Sequence, residues 1–253
     1  IRKRYIRFPQ NWNELTASQV IKIHDSVFIK QYSEVQLLVK IFYILSGLNR
    51  RILFGLKAID IEEFLYLTQF VFTTNNLTKQ LIPEYKGFCG PTDEIGNLQV
   101  AELVFADQHY SNWEGDQQNQ SELNNLVAVL YRQKRKKYNH AINSEGDSRV
   151  PFNQNECAYY ASKKIAKWPL AVKISIAKWY GACRQQMVEE NEEVFNGQGE
   201  PSMHGLLTII RSVASSNTYG TFADVEKMHV SLFMIELREA VAEQKKMEQP
   251  KKQ

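Results

Sequence analysis

The residues with the clearest capacity for chemistry lie in the stretch "LYRQKRKKYNHAINSEGDSRVPFN", which runs from Leu130 to Asn153. Arg132, Lys134, Arg135, Lys136 and Lys137 place five cations in six positions, and Tyr131 and Tyr138 flank them. Closely spaced cations attract phosphate oxygens and release condensed counterions on binding. The flanking tyrosines offer ring faces on which bases can stack. The same cations also suit an acidic protein surface, and the "EGDS" that follows offers local neutralisation. A solvated loop, or one that docks an acidic protein partner, is the first reading. A nucleic-acid contact through these seven residues is the alternative.

Charge balance favours the first. The chain of 253 residues carries a net charge of +3, which is weak for a dedicated nucleic-acid binder. Residues 1–150 hold 18 Lys and Arg against 16 Asp and Glu, so neither part of the chain is an electrostatic pole. Positive charge is local, in Arg2–Arg7 and in Arg132–Lys137.

Other reactive residue types lack the spacing that catalysis needs. The sequence contains no GxxxxGK[ST], no GxGxxG after a strand, no GxSxG and no HExxH. His24, His109, His140, His204 and His229 are far apart, and no two share a helix face at i, i+4, so no local metal site is expected. Glu189, Glu190, Glu192 and Glu193 read as a solvated helix face rather than an acid/base pair, which needs two carboxylates in different environments. Cys183 in "WYGACRQQ" has no base placed beside it and reads as a small buried hydrophobe. Trp168, Trp179 and Tyr180 read as core or interface anchors. The expectation is a protein that is not an enzyme and uses no cofactor.

The elements that must position these residues are mainly α-helical. Thr16 precedes Gln19 by three, Ser33 precedes Gln36 and Asp60 precedes Glu63, so three capping boxes each open an apolar helical pattern. Further helices are predicted at "LQVAELVFADQHYSNW", "ELNNLVAVLYR", "QNECAYYASKKIAKW" after the cap Asn153, the long segment after Pro169, "MHGLLTIIRSVASS" and "FADVEKMHVSLFMIELREAVAEQ". That makes about eight helices in a multi-helix globular protein. A few short strands are expected near the N-terminus, in "RKRYIRF", and at residues 77–82. The organisation reads as an N-terminal helical region over 1–132, the basic loop 133–150 and a C-terminal helical region over 151–253, or one domain with a long excursion.

With 43% hydrophobic and 23% charged residues, the chain can bury a sizeable core. Its three cysteines form no CxxC, which points to a reducing environment. No apolar run reaches the roughly 18 residues of a membrane span. The basic start lacks the apolar core of a secretory signal.

Several stretches together resemble proteins encoded near the tape measure gene in tailed phages and prophages. In "FPQNWNELTASQ" the positions are Pro9, Trp12, Leu15 and Thr16. "LVAVLYRQKRKKY" is similar to a helix followed by a basic Tyr-Arg-x-Lys element, and "SRVPFN" to an Arg-Val-Pro-Phe turn, here Arg149 to Phe152. "IAKWYGACRQQMVEENEEVF" and "IIRSVASSNTYGTFADVEKMHV" are similar to a helix with a Cys-Arg step and to a Gly-Thr-Phe linker before the last helix. The resemblance implies a tail assembly or virion structural protein. Its partners would be other tail or virion proteins, with self-association into an oligomer. Its location would be the virion or the host cytoplasm. No catalytic residues come with the resemblance.

Overall fold

Capping chemistry sets where the first helices begin. In this computed structural model, which describes residues 7–48, 51, 55, 65–73, 75–136, 147–195 and 220–248, helix α1 (Ala17–His24) starts on Thr16 and α2 (Glu34–Ser46) on Ser33. Both carry the full reciprocal box, with Gln19 and Gln36 reaching back to the cap amides. Helix α1 runs into a π-helical turn, Asp25–Ile29, closed by the Lys30 amide on the Asp25 carbonyl. Helix α2 stops at Gly47, whose φ of +62° is the left-handed cap that glycine adopts without strain. The box at Asp60 and the helix expected at "MHGLLTIIRSVASS" lie outside the described residues, as does most of the N-terminal strand expected in "RKRYIRF".

After the short helix α3 (Phe70–Thr73) come strands β1 (Glu84–Tyr85) and β2 (Phe88–Cys89). Helices α4 (Val100–Gly115) and α5 (Gln120–Leu130) follow, then β3 (Arg132–Gln133) and α6 (Gln154–Lys163). The chain continues through α7 (Leu170–Glu190), α8 (Glu192–Phe195), α9 (Phe222–Lys227) and α10 (Val230–Glu248). The fold is mainly α, and the described residues include a small antiparallel sheet ordered β1-β2-β3. Among the described residues no helix is long and apolar enough to cross a membrane.

The strands fall elsewhere than expected. Residues 77–82 form no strand because side chains satisfy their backbone: Asn13 Oδ1 accepts from the Thr78 and Lys79 amides, and Gln80 Oε1 from the Ile82 amide. The hairpin comes just after Pro83. Its two-residue turn, Lys86 and Gly87, has φ of 49° and 80°, the left-handed pair that matches strand twist. The last helical pattern also divides, between α9 and α10, where His229 bridges Gln99 and the Val230 amide donates to the Leu98 carbonyl.

Contacts separate the chain into two units, and the boundary is not the loop at 133–150. The first unit comprises residues 1–82 and 168–182, and the second 83–167 and 183–253. The reason lies in the loop's own base. Strand β3 pairs with β2, Lys134 bridges Arg149, and the Val150 amide donates to the Gln133 carbonyl, so both ends of the loop belong to the second unit.

The first unit buries Trp12, Ile23, Ile41, Leu45 and Leu77 with Trp168, Trp179 and Tyr180. Pro169 offers its carbonyl to the Val172 and Lys173 amides, starting α7 where the sequence places it. The second unit packs α4 on α5 and α5 on α6, around Leu103, Trp113, Leu126, Val127 and Leu130. Arg184 on α7 pairs there with Asp107 on α4.

Candidate functional site: the base of the basic run and an aromatic recess

Helix α5 ends at Leu130, and the chain extends through β3 directly over the apolar body of the second unit. That register carries Arg132 inward. Its guanidinium reaches Glu102 Oε1 at 2.7 Å and Asp147 Oδ2 at 3.3 Å, and its Nε donates to the Val150 carbonyl at 2.8 Å. Arg149 enters from the returning side of the loop. Its Nη2 donates to Glu102 Oε2 at 3.0 Å, its Nε to Asp147 Oδ1 at 2.9 Å, and its Nη1 to the Leu130 carbonyl at 3.0 Å. Two carboxylates and two guanidiniums therefore meet with formal charges that cancel. Glu102 and Arg149 are both 0% exposed.

Burial works against each charge in this cluster, and the partners prevail. Burial would raise the Asp147 carboxyl, but the Arg149 guanidinium, its backbone amide and Arg132 hold it below the usual carboxylate range. Burial would lower the Arg149 guanidinium, but Glu102 and Asp147 hold it above its ordinary value. A group of this kind ties segments distant in sequence into one arrangement, because removing any member strands a buried charge.

The seven residues of the predicted contact divide accordingly. Tyr131 and Arg132 are buried, at 1% and 4% exposure. Lys134 and Lys136 are exposed, and Arg135 is half-buried with its Nε on the Arg149 carbonyl at 2.7 Å. Lys137 and Tyr138 lie outside the described residues. The partners Glu102, Asp147 and Arg149 escaped the sequence reading as a group. "EGDS" was legible as a neutralising element, and Asp147 does neutralise Arg132, but inside the fold.

Other candidate residues take structural places. Cys89, Cys157 and Cys183 form no disulfide, and all three are buried. Burial pushes Cys157 up to about 11 and, with the charge of Glu94 adding, Cys183 up to about 12, so neither is a thiolate near neutrality. Glu189, Glu190, Glu192 and Glu193 are exposed. Among the described residues no cluster of His, Cys, Asp and Glu could hold a metal ion.

The first unit carries a different feature. His24 stacks on Trp12 with ring centres 5.3 Å apart, and its Nδ1 lies 2.8 Å from Ser175 Oγ. Ser175 donates its own proton to the Ala171 carbonyl at 2.7 Å, so the imidazole Nδ1–H is the donor to Ser175. The serine hydroxyl is thus spent on its helix and is not activated for attack. Burial, reinforced by Lys178, holds His24 down at about 3.

Beside this pair, Trp12, His24, Val27, Phe28, Phe72 and Lys178 line a recess of about 220 Å³. The wider π-helical turn presents Phe28 and Ile29 outward, at 42% and 39% exposure. Tyr32, Val35, Tyr66 and Phe72 are exposed as well, and Lys178 Nζ sits 5.3 Å from the Phe28 ring centre. Exposed large apolar side chains that line a recess, as Phe28 and Phe72 do, are the usual signature of a surface that meets another molecule.

Compared with models of protein families, with characterised proteins and with solved structures, the chain matches none.

Proposed function

We propose that the protein works by binding other proteins, as a phage-type tail assembly or virion structural component in the virion or the host cytoplasm. The observation that carries this reading is the exposed aromatic recess of the first unit, with Phe28, Ile29, Tyr32 and Val35 in one short stretch and Phe72 across the recess. Aromatic side chains bring large contact area and dominate interface energetics. Further support comes from the sequence resemblance at Trp12–Thr16, since Trp12 lines that recess. Nucleic-acid binding through the basic run draws less support, because Tyr131 and Arg132 are committed to the core.

The test is co-expression with any tape measure and tail-tube proteins encoded in its source genome, followed by size-exclusion chromatography. Co-elution is expected with one of them. The double substitution Phe28→Asp and Val35→Asp should abolish it while leaving the circular dichroism spectrum unchanged. Failure of the unaltered protein to co-elute with any of these partners, or co-elution that survives the double substitution, would overturn the reading.

A further inference from the structure

A second recess, of about 210 Å³, lies wholly within the second unit, between three helices. Helix α4 supplies Phe105 and His109, and helix α5 supplies Asn125 and Val129, each a pair four residues apart and so on one face of its helix. Phe152, just before α6, and Cys157, on it, complete the lining. Most of this lining is apolar: Val129 and Cys157 are buried, and the Phe105 and Phe152 ring centres stand 5.5 Å apart. No Asp, Glu, Lys or Arg lines the recess.

Two polar groups interrupt the apolar wall. His109 Nδ1 lies 2.7 Å from Glu122 Oε2, an oxygen that also accepts from Asn112 Nδ2 at 3.3 Å. An ionised carboxylate only accepts, so the ring proton sits on Nδ1 and the neutral ring keeps a lone pair on Nε2. Glu122 is not part of the lining, so the opposite edge of the imidazole, which carries Nε2, is the one that faces the recess. Among the described residues neither Nε2 nor the Asn125 side-chain amide has a hydrogen-bond partner.

We propose that this recess binds a small uncharged aromatic molecule that carries an N–H or O–H donor, of the indole or phenol class. The uncharged lining disfavours an ion, because burying a charge without a counter-charge is costly. Size agrees: an apolar cavity of about 150 Å³ takes up a benzene ring, so a recess of about 210 Å³ has space for a molecule of one or two rings. The acceptor is set before any ligand arrives, since Glu122 fixes both the tautomer and the plane of the imidazole. A ring without a donor leaves Nε2 desolvated and unpaired against it. The site shares no residue with the recess of the first unit, so it stands or falls apart from the protein-binding reading.

The experiment is a titration of the full chain, followed by two-dimensional amide NMR at about pH 8, where an ordinary imidazole is neutral. One arm uses indole and the other benzofuran, which has the same shape with a ring oxygen in place of the N–H. Saturable shifts at His109, Asn125 and Cys157 are expected with indole in the millimolar range. Benzofuran should bind about three- to tenfold more weakly, the worth of one hydrogen bond. His109→Phe keeps an aromatic ring and removes the acceptor, so the two ligands should then bind alike while the spectrum keeps its native dispersion. Where that variant does not fold, Glu122→Gln supplies the test. Its amide can turn either an oxygen or an N–H to Nδ1, so the tautomer is no longer fixed and the preference for indole should shrink. Shifts that never saturate with indole, equal affinity for indole and benzofuran in the parent, or a preference undiminished in either folded variant, would overturn the proposal.

Discussion

Arg149 and Glu102 meet at 3.0 Å with neither side chain exposed to solvent, although 47 residues separate them in the chain. The pair joins helix α4 to the returning arm of the basic loop. With Arg132 and Asp147 it draws the first cation of what looks like a surface charge run into the interior of the second unit.

Removing Arg149 leaves Glu102 and Asp147 sharing the single charge of Arg132. Arg149→Ala is expected to cost about 3–5 kcal/mol, the range for stranding a buried charge. Lys134→Ala, at an exposed position in the same run, should stay within about 0.5 kcal/mol of the parent. Urea unfolding of both variants measures the contrast. Equal, small losses in both would show that the cluster contributes nothing as a unit.

The His24 environment makes a pH prediction with a definite sign. Its folded value of about 3 lies below the ordinary 6.5, so the fold prefers the neutral ring. The stabilisation is therefore complete above about 6.5 and is lost as the pH falls towards 3, at up to about 1.4 kcal/mol per pH unit. Asp147, held below the usual carboxylate range, loses its contribution only at lower pH still, while the raised Asp107 works in the opposite direction. The thermal midpoint of the parent should fall between pH 6.5 and 4 more steeply than that of His24→Gln. Parallel profiles for the two proteins would contradict the buried neutral ring.

The three thiols should be silent in the native protein. Burial raises Cys89, Cys157 and Cys183 alike, and none is more than 7% exposed. An aromatic disulfide reagent at about pH 8 is expected to leave all three unmodified until urea is added. Rapid reaction of any one in the folded state would show that its surroundings open readily.

How much of this was legible in the sequence follows from the range of each interaction. Thr16 with Gln19, Ser33 with Gln36 and Asn153 with the Glu156 amide span three residues each, so their spacing alone predicts three helix starts. Apolar periodicity made helix α5 readable, though the pattern runs to Arg132 and the helix stops at Leu130, and residue type made Cys183, Trp179 and Tyr180 readable as buried or anchoring side chains. Arg132 was readable as a cation but not as a buried one, because its partner Glu102 lies 30 positions earlier, on helix α4. Nothing in local spacing separates it from Lys134. The hairpin escaped because each strand is two residues long, too short for alternation to show. Its one local signal was the Lys86-Gly87 pair.

Helix α7 contributes to both units, with residues 170–182 in the first and the remainder in the second. This arrangement has a consequence for synthesis on the ribosome. The N-terminal 82 residues leave the exit tunnel without Trp168, Trp179 and Tyr180, the aromatic side chains that complete their core. At the usual elongation rate of about 5–20 residues per second, roughly 5–20 s pass before those residues are made. In that interval most of the middle of the chain has already emerged. The first unit is therefore completed late, and its apolar surfaces stay open to chaperones while the chain is still growing.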